Sequence, residues 1–349
     1  MKSISYSIFL LVFTLCSFQG FSQQNKKNYY TTIVGFYNLE NLFDTIDNPD
    51  TRDEEYLPEG KNGWTSERYW EKIGQMSRVI SEIGTDVNPD GPAILGISEI
   101  ENKEVVEDLV KSEKLKARNY GIVHYNSPDR RGVDVGLIYQ PKYFKVTNSK
   151  SVTLKIEGEP DFYTRDQLVV SGLLDGEPVH IIVGHWPSRR GGEKRSAPKR
   201  IAAAKLGRQI IDSLYEVDPT AKIIYMGDLN DDPTNASVRR HIKTTTDKND
   251  TVSGRMYNPM QEMYRRGIGS LAYRDNWNLF DQTMLSNDFM KKDYSSFRFY
   301  GARVFNKTYL MQPEGRYKGY PMRTFSGGIY TGGFSDHFPV YVVLVKEKK

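Results

Sequence analysis

The sequence predicts an α/β protein built on mixed sheet. Three observations carry that reading. Short apolar runs such as Ala93–Ser98 (AILGIS) and Val179–Gly184 (VHIIVG) end abruptly in charged or polar residues, as buried strands do. Stretches with apolar residues three and four apart lie between such runs, as amphipathic helices require. Strand-like segments also crowd the middle of the chain, which favours antiparallel or mixed pairing over a simple βαβ repeat.

Taken in order, residues 1–22 read as a secretory signal peptide. Lys2 supplies a short positive region, Ile4 to Phe18 an apolar core of suitable length, and Gly20-Phe21-Ser22 a small-x-small cleavage site. A membrane anchor would need a longer apolar stretch. Cys16 is the single cysteine and lies inside this segment; Phe13-Thr14-Leu15 before it is a poor match to a lipidation site. The mature protein is therefore expected to be periplasmic or secreted, with no stable membrane insertion. Residues 23–30 read as a linker and residues 31–346 as one domain.

Thr31–Asn38 (TTIVGFYN) reads as a strand, with Asn38, Glu40 and Asn41 at its C-terminal end, where α/β folds tend to place chemistry. Residues 44–63, rich in Asp, Asn, Pro and Gly, read as a surface loop. Thr65 is a suitable N-cap for a helix running to Ile83, with Tyr69, Ile73, Met76 and Ile80 on one face and Gly84 as its stop. The strand Ala93–Ser98 delivers Glu99; a second helix follows around Val105–Val110. Short strands are expected at 121–125, 133–139, 143–147, 151–156, 168–174 and 178–184. The last delivers His185 into a Gly-rich basic loop carrying Arg189, Arg190 and Lys194. A helix over 196–217, with Ala203, Leu206, Ile210 and Leu214 on one face, leads into the apolar run Ala221–Tyr225.

That run ends in Met226-Gly227-Asp228-Leu229-Asn230. In extended chain, residues two apart point the same way, so Asp228 and Asn230 could present an acceptor and a donor to one phosphate-sized target. The competing reading is a turn in which both side chains bond their own backbone. From Pro233 to about residue 275 the chain reads as polar loop. Asn278–Leu285 reads as a strand with Asp281 inside it, and an aspartate there must be paired, hydrogen-bonded or functional. Residues 315–334, with Tyr317, Tyr320, Arg323, Phe325 and Tyr330, read as an ordered surface loop or a stacking surface for rings. Ser335-Asp336-His337 and a closing strand Val340–Val345 finish the domain.

Bulk properties narrow the function. The 349 residues carry a net charge of only +4 with interspersed signs, which argues against a bulk electrostatic nucleic-acid binder but permits a local basic groove. Once the leader is removed no cysteine remains, so an exported chain must stand on its hydrophobic core. At about 325 residues it can bury roughly three-quarters of its unfolded surface.

The ordered set Asn38, Glu99, His185, Asp228-x-Asn230, Asp281 and Asp336-His337 resembles the endonuclease/exonuclease/phosphatase superfamily, the DNase I-like fold, over residues 31 to 346. Tyr37-Asn38-Leu39-Glu40-Asn41 and Arg323-Thr324-Phe325 are similar to its secreted or envelope bacterial branch. The resemblance implies a four-layer α/β/β/α sandwich of two packed mixed sheets, with the site at one rim. It implies His337 as general base and Asp281 as the carboxylate orienting it. Glu99, Asn38 and Asp336 would hold Mg²⁺ or Mn²⁺, with Ca²⁺ an alternative, because oxygen ligands select such ions. Asp228 and Asn230 would orient water or phosphate, and His185 would bond a phosphate oxygen or assist the leaving group. Arg165 matches a family position that contacts phosphate; Arg130, Arg131, Arg189, Arg190 and Lys194 could line a backbone groove. The function expected is a divalent-metal-dependent phosphoesterase, foremost a nuclease acting on DNA or RNA, with no protein partner. The alternatives are a phosphomonoesterase or a phospholipid or sphingomyelin phosphodiesterase on the same site, and a non-catalytic envelope binding module.

Overall fold

The computed structural model describes residues 28–250, 252 and 254–348. The expected signal peptide, with Cys16, and residues 23–27 of the expected linker lie outside the described residues. In chain order the first half forms β1 (Tyr29–Leu42), α1 (Ser66–Glu82), β2 (Pro92–Ile100), α2 (Lys103–Lys111), β3 (Gly121–His124), β4 (Asp134–Tyr139), β5 (Phe144–Val152), β6 (Gln167–Leu174), β7 (Glu177–His185), α3 (Glu193–Val217) and β8 (Ile223–Asp228). The second half adds β9 (Thr244–Thr245), β10 (Met256–Tyr257), α4 (Met260–Arg265), β11 (Leu271–Tyr273), β12 (Asn276–Asn278), β13 (Asp281–Ser286), β14 (Arg298–Val304), β15 (Phe325–Ser326), β16 (Ile329–Tyr330) and β17 (Val340–Glu347).

Two mixed sheets result. One runs β14-β17-β1-β2-β4-β3, the other β5-β6-β7-β8-β13-β10-β9. The parallel pairs are β1 with β2, β7 with β8, and β9 with β10; the remaining pairs are antiparallel. The period-two alternation of each central strand then builds the layers. Val34 and Phe36 of β1, Ile181 and Val183 of β7, Ile224 and Met226 of β8 and Val342 of β17 share the core between the sheets. Ile33 and Tyr37 point the other way, into a core under α1 and α2 with Ile73, Ile80, Val106 and Leu109. Ile223 and Tyr225 point into a third core beneath α3 with Ala203, Ala204 and Ile211. The order helix, sheet, sheet, helix is the expected four-layer sandwich. Each such aliphatic side chain, fully buried, contributes about 1.5–3 kcal/mol. The sheets approach closely at Gly96, where an added Cβ would lie 2.7 Å from the Met226 sulfur.

Helix α1 starts where capping chemistry predicts. The Thr65 side chain accepts from the Arg68 N–H, and Gly84 follows the helix at φ +67°. Helix α2 is capped by the Asn102 side chain, which accepts from the Val105 N–H. Several expectations need correction. The runs at 143–147 and 151–156 are one strand, β5, whose register shifts between Val146 and Asn148, and residues beyond Val152 leave the sheet. The polar stretch after Pro233 is not continuous loop: β9, β10 and α4 lie within it, and buried Met256 and Tyr257 extend the second sheet beyond β13. Its hydrophobic signal is too short for periodicity to register. Strand β14 (RFYGARV) carries no strand signal in the sequence: it is a half-exposed edge strand irregular between Phe299 and Gly301, so it shows little apolar pattern. Chain that reads as linker joins the fold, since β1 begins at Tyr29.

Candidate active site

The inter-sheet face carries the site because the alternation continues into it. Asn38 follows Val34 and Phe36 at the same parity, His185 follows Ile181 and Val183, and Asp228 follows Ile224 and Met226. Parallel pairing sets Asn38 opposite Ser98 and His185 opposite Asp228; antiparallel pairing sets Asp281 opposite Asp228. Four strands from two sheets thus end their apolar stretches at one rim, each with a polar residue facing the other sheet. The backbone turns sharply there: Glu40, Asn41, Glu99 and Asn230 all have φ between 48° and 59°.

Glu99 and Asp228 form one pole. The Asn38 amide donates to Glu99 Oε1 at 3.2 Å and to Asp228 Oδ2 at 3.1 Å. Its oxygen is occupied by the Glu40 N–H at 2.9 Å. Asn38 thus turns its amino group to the two carboxylates and braces them; as the expected metal ligand it would present its amide oxygen instead. The Asn41 N–H fixes the other Glu99 oxygen at 3.0 Å. His185 Nε2 lies 3.8 Å from Glu99 Oε1 and 3.6 Å from Asp228 Oδ2. Burial, reinforced by Arg165, Arg131 and His337, pushes the His185 pKa well below its ordinary value, so it is a neutral imidazole. Burial pushes Asp228 up to about 7, with Asp281 and Glu99 adding to the rise and His337 opposing it.

His337 forms the other pole. Its Nδ1 lies 2.6 Å from Asp281 Oδ2, and Asp281 is fully buried. Ser270 Oγ donates to the same carboxylate oxygen. An Asp at Nδ1 selects the tautomer with the proton there and leaves Nε2 for chemistry. Nε2 faces Asp228 Oδ2 and Asp336 Oδ1, each at 3.9 Å. Burial alone would lower the His337 pKa, but Asp281 and Asp228 outweigh it and raise it well above the ordinary value. The Ser335 hydroxyl, which donates to the Asn38 carbonyl at 2.7 Å and accepts from the His337 N–H at 3.1 Å, ties this loop to β1.

The remaining residues divide. Asp228 Oδ1 accepts the Asn230 N–H at 2.9 Å, and Asn230 Nδ2 donates to the Trp186 carbonyl at 3.0 Å. The turn reading holds for Asp228, whereas the Asn230 amide reaches the distant Trp186 carbonyl rather than its own backbone; the two side chains are not parallel prongs, and Asp228 Oδ2 still faces the site. Buried Arg165 donates to the Trp186 carbonyl and, at 3.3 Å, to Asp129, beside His185. Arg131 meets the same Asp129 at 3.5 Å and is half exposed. Arg189 is not available for a backbone groove: its guanidinium is held by the Asn230 carbonyl, Asp231, Asp232 and Glu193. Arg190 is exposed on the same loop. Asp336 is held by Arg323 at 2.6 Å and belongs to neither cluster of three ligand-type residues among the described residues. Arg323 also reaches Glu40 at 3.3 Å, so Glu40 is a partner of the loop rather than of the Glu99 pole. Glu101 accepts the Asp44 N–H at 2.8 Å and likewise stands apart. Ser270 escaped sequence reading, because no local pattern links it to Asp281.

The donor set fits a divalent cation. Oxygens of Glu99 and Asp228 and a nitrogen of His185 lie within 4.8 Å of one another, and the crowding that raises Asp228 is what a cation relieves. Glu99, the most accessible of the three, would hold it with Asp228; hard oxygens favour Mg²⁺ or Mn²⁺. Bound there, the ion supplies positive charge to a phosphoryl oxygen and a leaving oxyanion.

A buried His–Asp pair facing an acidic pole across one rim of an α/β/β/α sandwich defines a phosphoesterase class of site. The chain belongs to the endonuclease/exonuclease/phosphatase family, whose model matches residues 33–346, and is in that class a metal-dependent hydrolase of phosphate esters. Its fold is similar to that of humanized TDP2 from D. rerio (TM-score 0.54, 14% identity, covering 90% of this chain and 98% of that one). It is also similar to a mannosyl-6-phosphatase from Bacteroides thetaiotaomicron (0.53, 16%, 90% and 99%) and to the human nocturnin catalytic domain (0.53, 13%, 92% and 98%). No curated protein matches the chain by sequence.

Proposed function

We propose that this protein is an exported nuclease that hydrolyses phosphodiester bonds of DNA or RNA with Mg²⁺ or Mn²⁺. The observation that carries the reading is the His337–Asp281 pair, whose Nε2 faces Asp228 of the acidic pole at 3.9 Å. A cation at the Glu99–Asp228 pole would offset the Asp228 charge that helps hold His337 protonated; in its neutral form His337 takes the proton of the attacking water at Nε2, and Asp281 holds the imidazole and stabilises the charge that results. Neutral His185 donates to a phosphate oxygen, and Arg165 and Arg131 add positive charge on that side. A TDP2 structure from D. rerio contains a single-strand DNA product, which favours nucleic acid as the substrate class. The similar mannosyl-6-phosphatase favours a second reading, a phosphomonoesterase on the same residues.

The test offers purified protein plasmid DNA, RNA, a sugar phosphate, an inositol phosphate and sphingomyelin, with Mg²⁺, Mn²⁺ or EDTA. Metal-dependent nicking of plasmid or cleavage of RNA supports the proposal. Phosphate or headgroup release without nucleic-acid cleavage moves the function to the second reading or to a lipid substrate, and full activity in EDTA refutes the metal site. Export is tested separately by mass spectrometry of the mature N-terminus, expected just after Ser22; an intact Met1 in fractionated cells would overturn it.

A further inference from the structure

Aromatic rings that the chemistry above does not use gather on the segments that adjoin His337 and Ser270. Trp277, in the β11–β12 hairpin, stacks on Phe338 with centroids 6.1 Å apart and planes 18° apart. Phe338 follows His337 directly, and its N–H donates to the carbonyl of Ser270, the residue whose hydroxyl holds Asp281. Trp277 thus stacks on the residue that follows the general base in the chain. Tyr320 leans on it from the 312–320 segment at 6.0 Å, and Tyr317 leans on Tyr320 at 5.5 Å. The Tyr320 hydroxyl is shared with Asp275, donating to its carboxylate at 2.6 Å and accepting its N–H at 2.7 Å, so the two segments are locked together. An indole 36% exposed and a tyrosine 47% exposed are left facing solvent in a held arrangement. Exposed Arg274, Arg316 and Lys318 lie on the same two segments, against the acids Asp275 and Glu314, of which Asp275 is already bonded.

We propose that Trp277, with Tyr320 and Tyr317, is a stacking platform for a nucleobase next to the scissile phosphate, so that the site takes single-stranded nucleic acid. This rests on the phosphoesterase reading of His337. Ring faces accept any base, while the surrounding cations follow the backbone, which gives binding without sequence preference. A duplex keeps its bases stacked on each other and leaves the platform unfilled. Tyr317 and Tyr320 belong to the stretch 315–334; farther along it the rings of Phe325 and Tyr330 turn onto Trp64 instead.

The experiment is a binding titration in EDTA, where no turnover occurs, following tryptophan fluorescence of the full chain with an oligothymidylate. Trp64 and Trp186 are buried, so quenching is read as the difference between wild type and Trp277→Phe, with Trp70→Phe in both. Expected are quenching that depends on Trp277, affinity about tenfold weaker in Trp277→Ala and partly restored in Trp277→Phe, and no change in Tyr300→Ala, an exposed tyrosine on β14. Equal affinity of wild type and Trp277→Ala overturns the platform. Quenching by a sugar phosphate but not by the oligonucleotide overturns the nucleobase assignment. With Mg²⁺ added, failure of wild type to hydrolyse any phosphoester refutes the underlying reading instead, whatever the EDTA titration gives.

Discussion

At the scale of single residues, the site is a set of buried groups whose charges are set by one another. His337 has no exposed partner to compensate for its loss, and a positioned general base contributes about 10²–10⁴ in rate. His337→Ala should lower kcat by about 10³-fold while the circular dichroism spectrum stays unchanged; a loss below tenfold would remove it from the role of base. Glu99 is held by Asn38 and the Asn41 N–H, so Glu99→Gln keeps its shape but halves the charge offered to a cation with Asp228. The metal concentration for half-maximal activity should rise at least tenfold. An unchanged metal titration would place the ion elsewhere.

At the scale of elements, strand pairing is what aims these residues. Gly227 precedes Asp228 on β8, and a Cβ there would lie 1.9 Å from the Gly184 carbonyl oxygen on β7. Neither strand can retreat without breaking the His185–Asp228 register. Gly227→Ala should therefore cost several kcal/mol in urea unfolding as well as activity; a variant as stable as wild type would show that the strands can part. Strand β7 also carries His180, whose Nδ1 pairs with Ser171 Oγ at 2.7 Å and whose pKa is lowered by burial, partly offset by Asp218. A lowered folded value means that the unfolded chain takes up the proton first. This stability is present above the unfolded pKa of about 6.5 and is lost as pH falls through the folded one. His180→Gln should shrink the drop in Tm between pH 7 and pH 5; an equal drop would assign the acid sensitivity to other groups.

At the scale of the molecule, the loop carrying Asp336 and His337 is fastened to both layers beside it. Buried Lys72 of α1 donates to Thr324 Oγ1 and to the Phe334 carbonyl, each at 2.6 Å, and the Thr324 N–H donates to Glu40 of β1 at 2.7 Å. Burial pulls Lys72 down to about 8 and pushes Glu40 up to about 7, so each charge depends on its neighbours. Lys72→Met should destabilise by about 3 kcal/mol, because it strands buried acceptors and a carboxylate. Adding Glu40→Gln should restore part of that, with a coupling of about 1 kcal/mol in a double-mutant cycle. Strict additivity in denaturant melts would show that the two groups act separately.

Much of this was legible in the chain itself. Strand ends at Asn38, Glu99, His185 and Asp228 can be read because fully buried strands are continuous apolar runs, and a polar residue closing one is conspicuous. Helices α1 and α2 can be read because their caps and periodicity are local. The sequence by itself determined the central strands and the helices α1 to α3 of the sandwich, and the chemical type of each site residue that closes those strands. Only the tertiary structure decided which way the Asn38 amide turns, that Arg189 is consumed by Asp231 and Asp232, that Asp336 serves Arg323, and that Ser270 holds Asp281. Those outcomes depend on contacts between segments tens to hundreds of residues apart, and a hydrogen bond takes its direction from partners that no local pattern specifies.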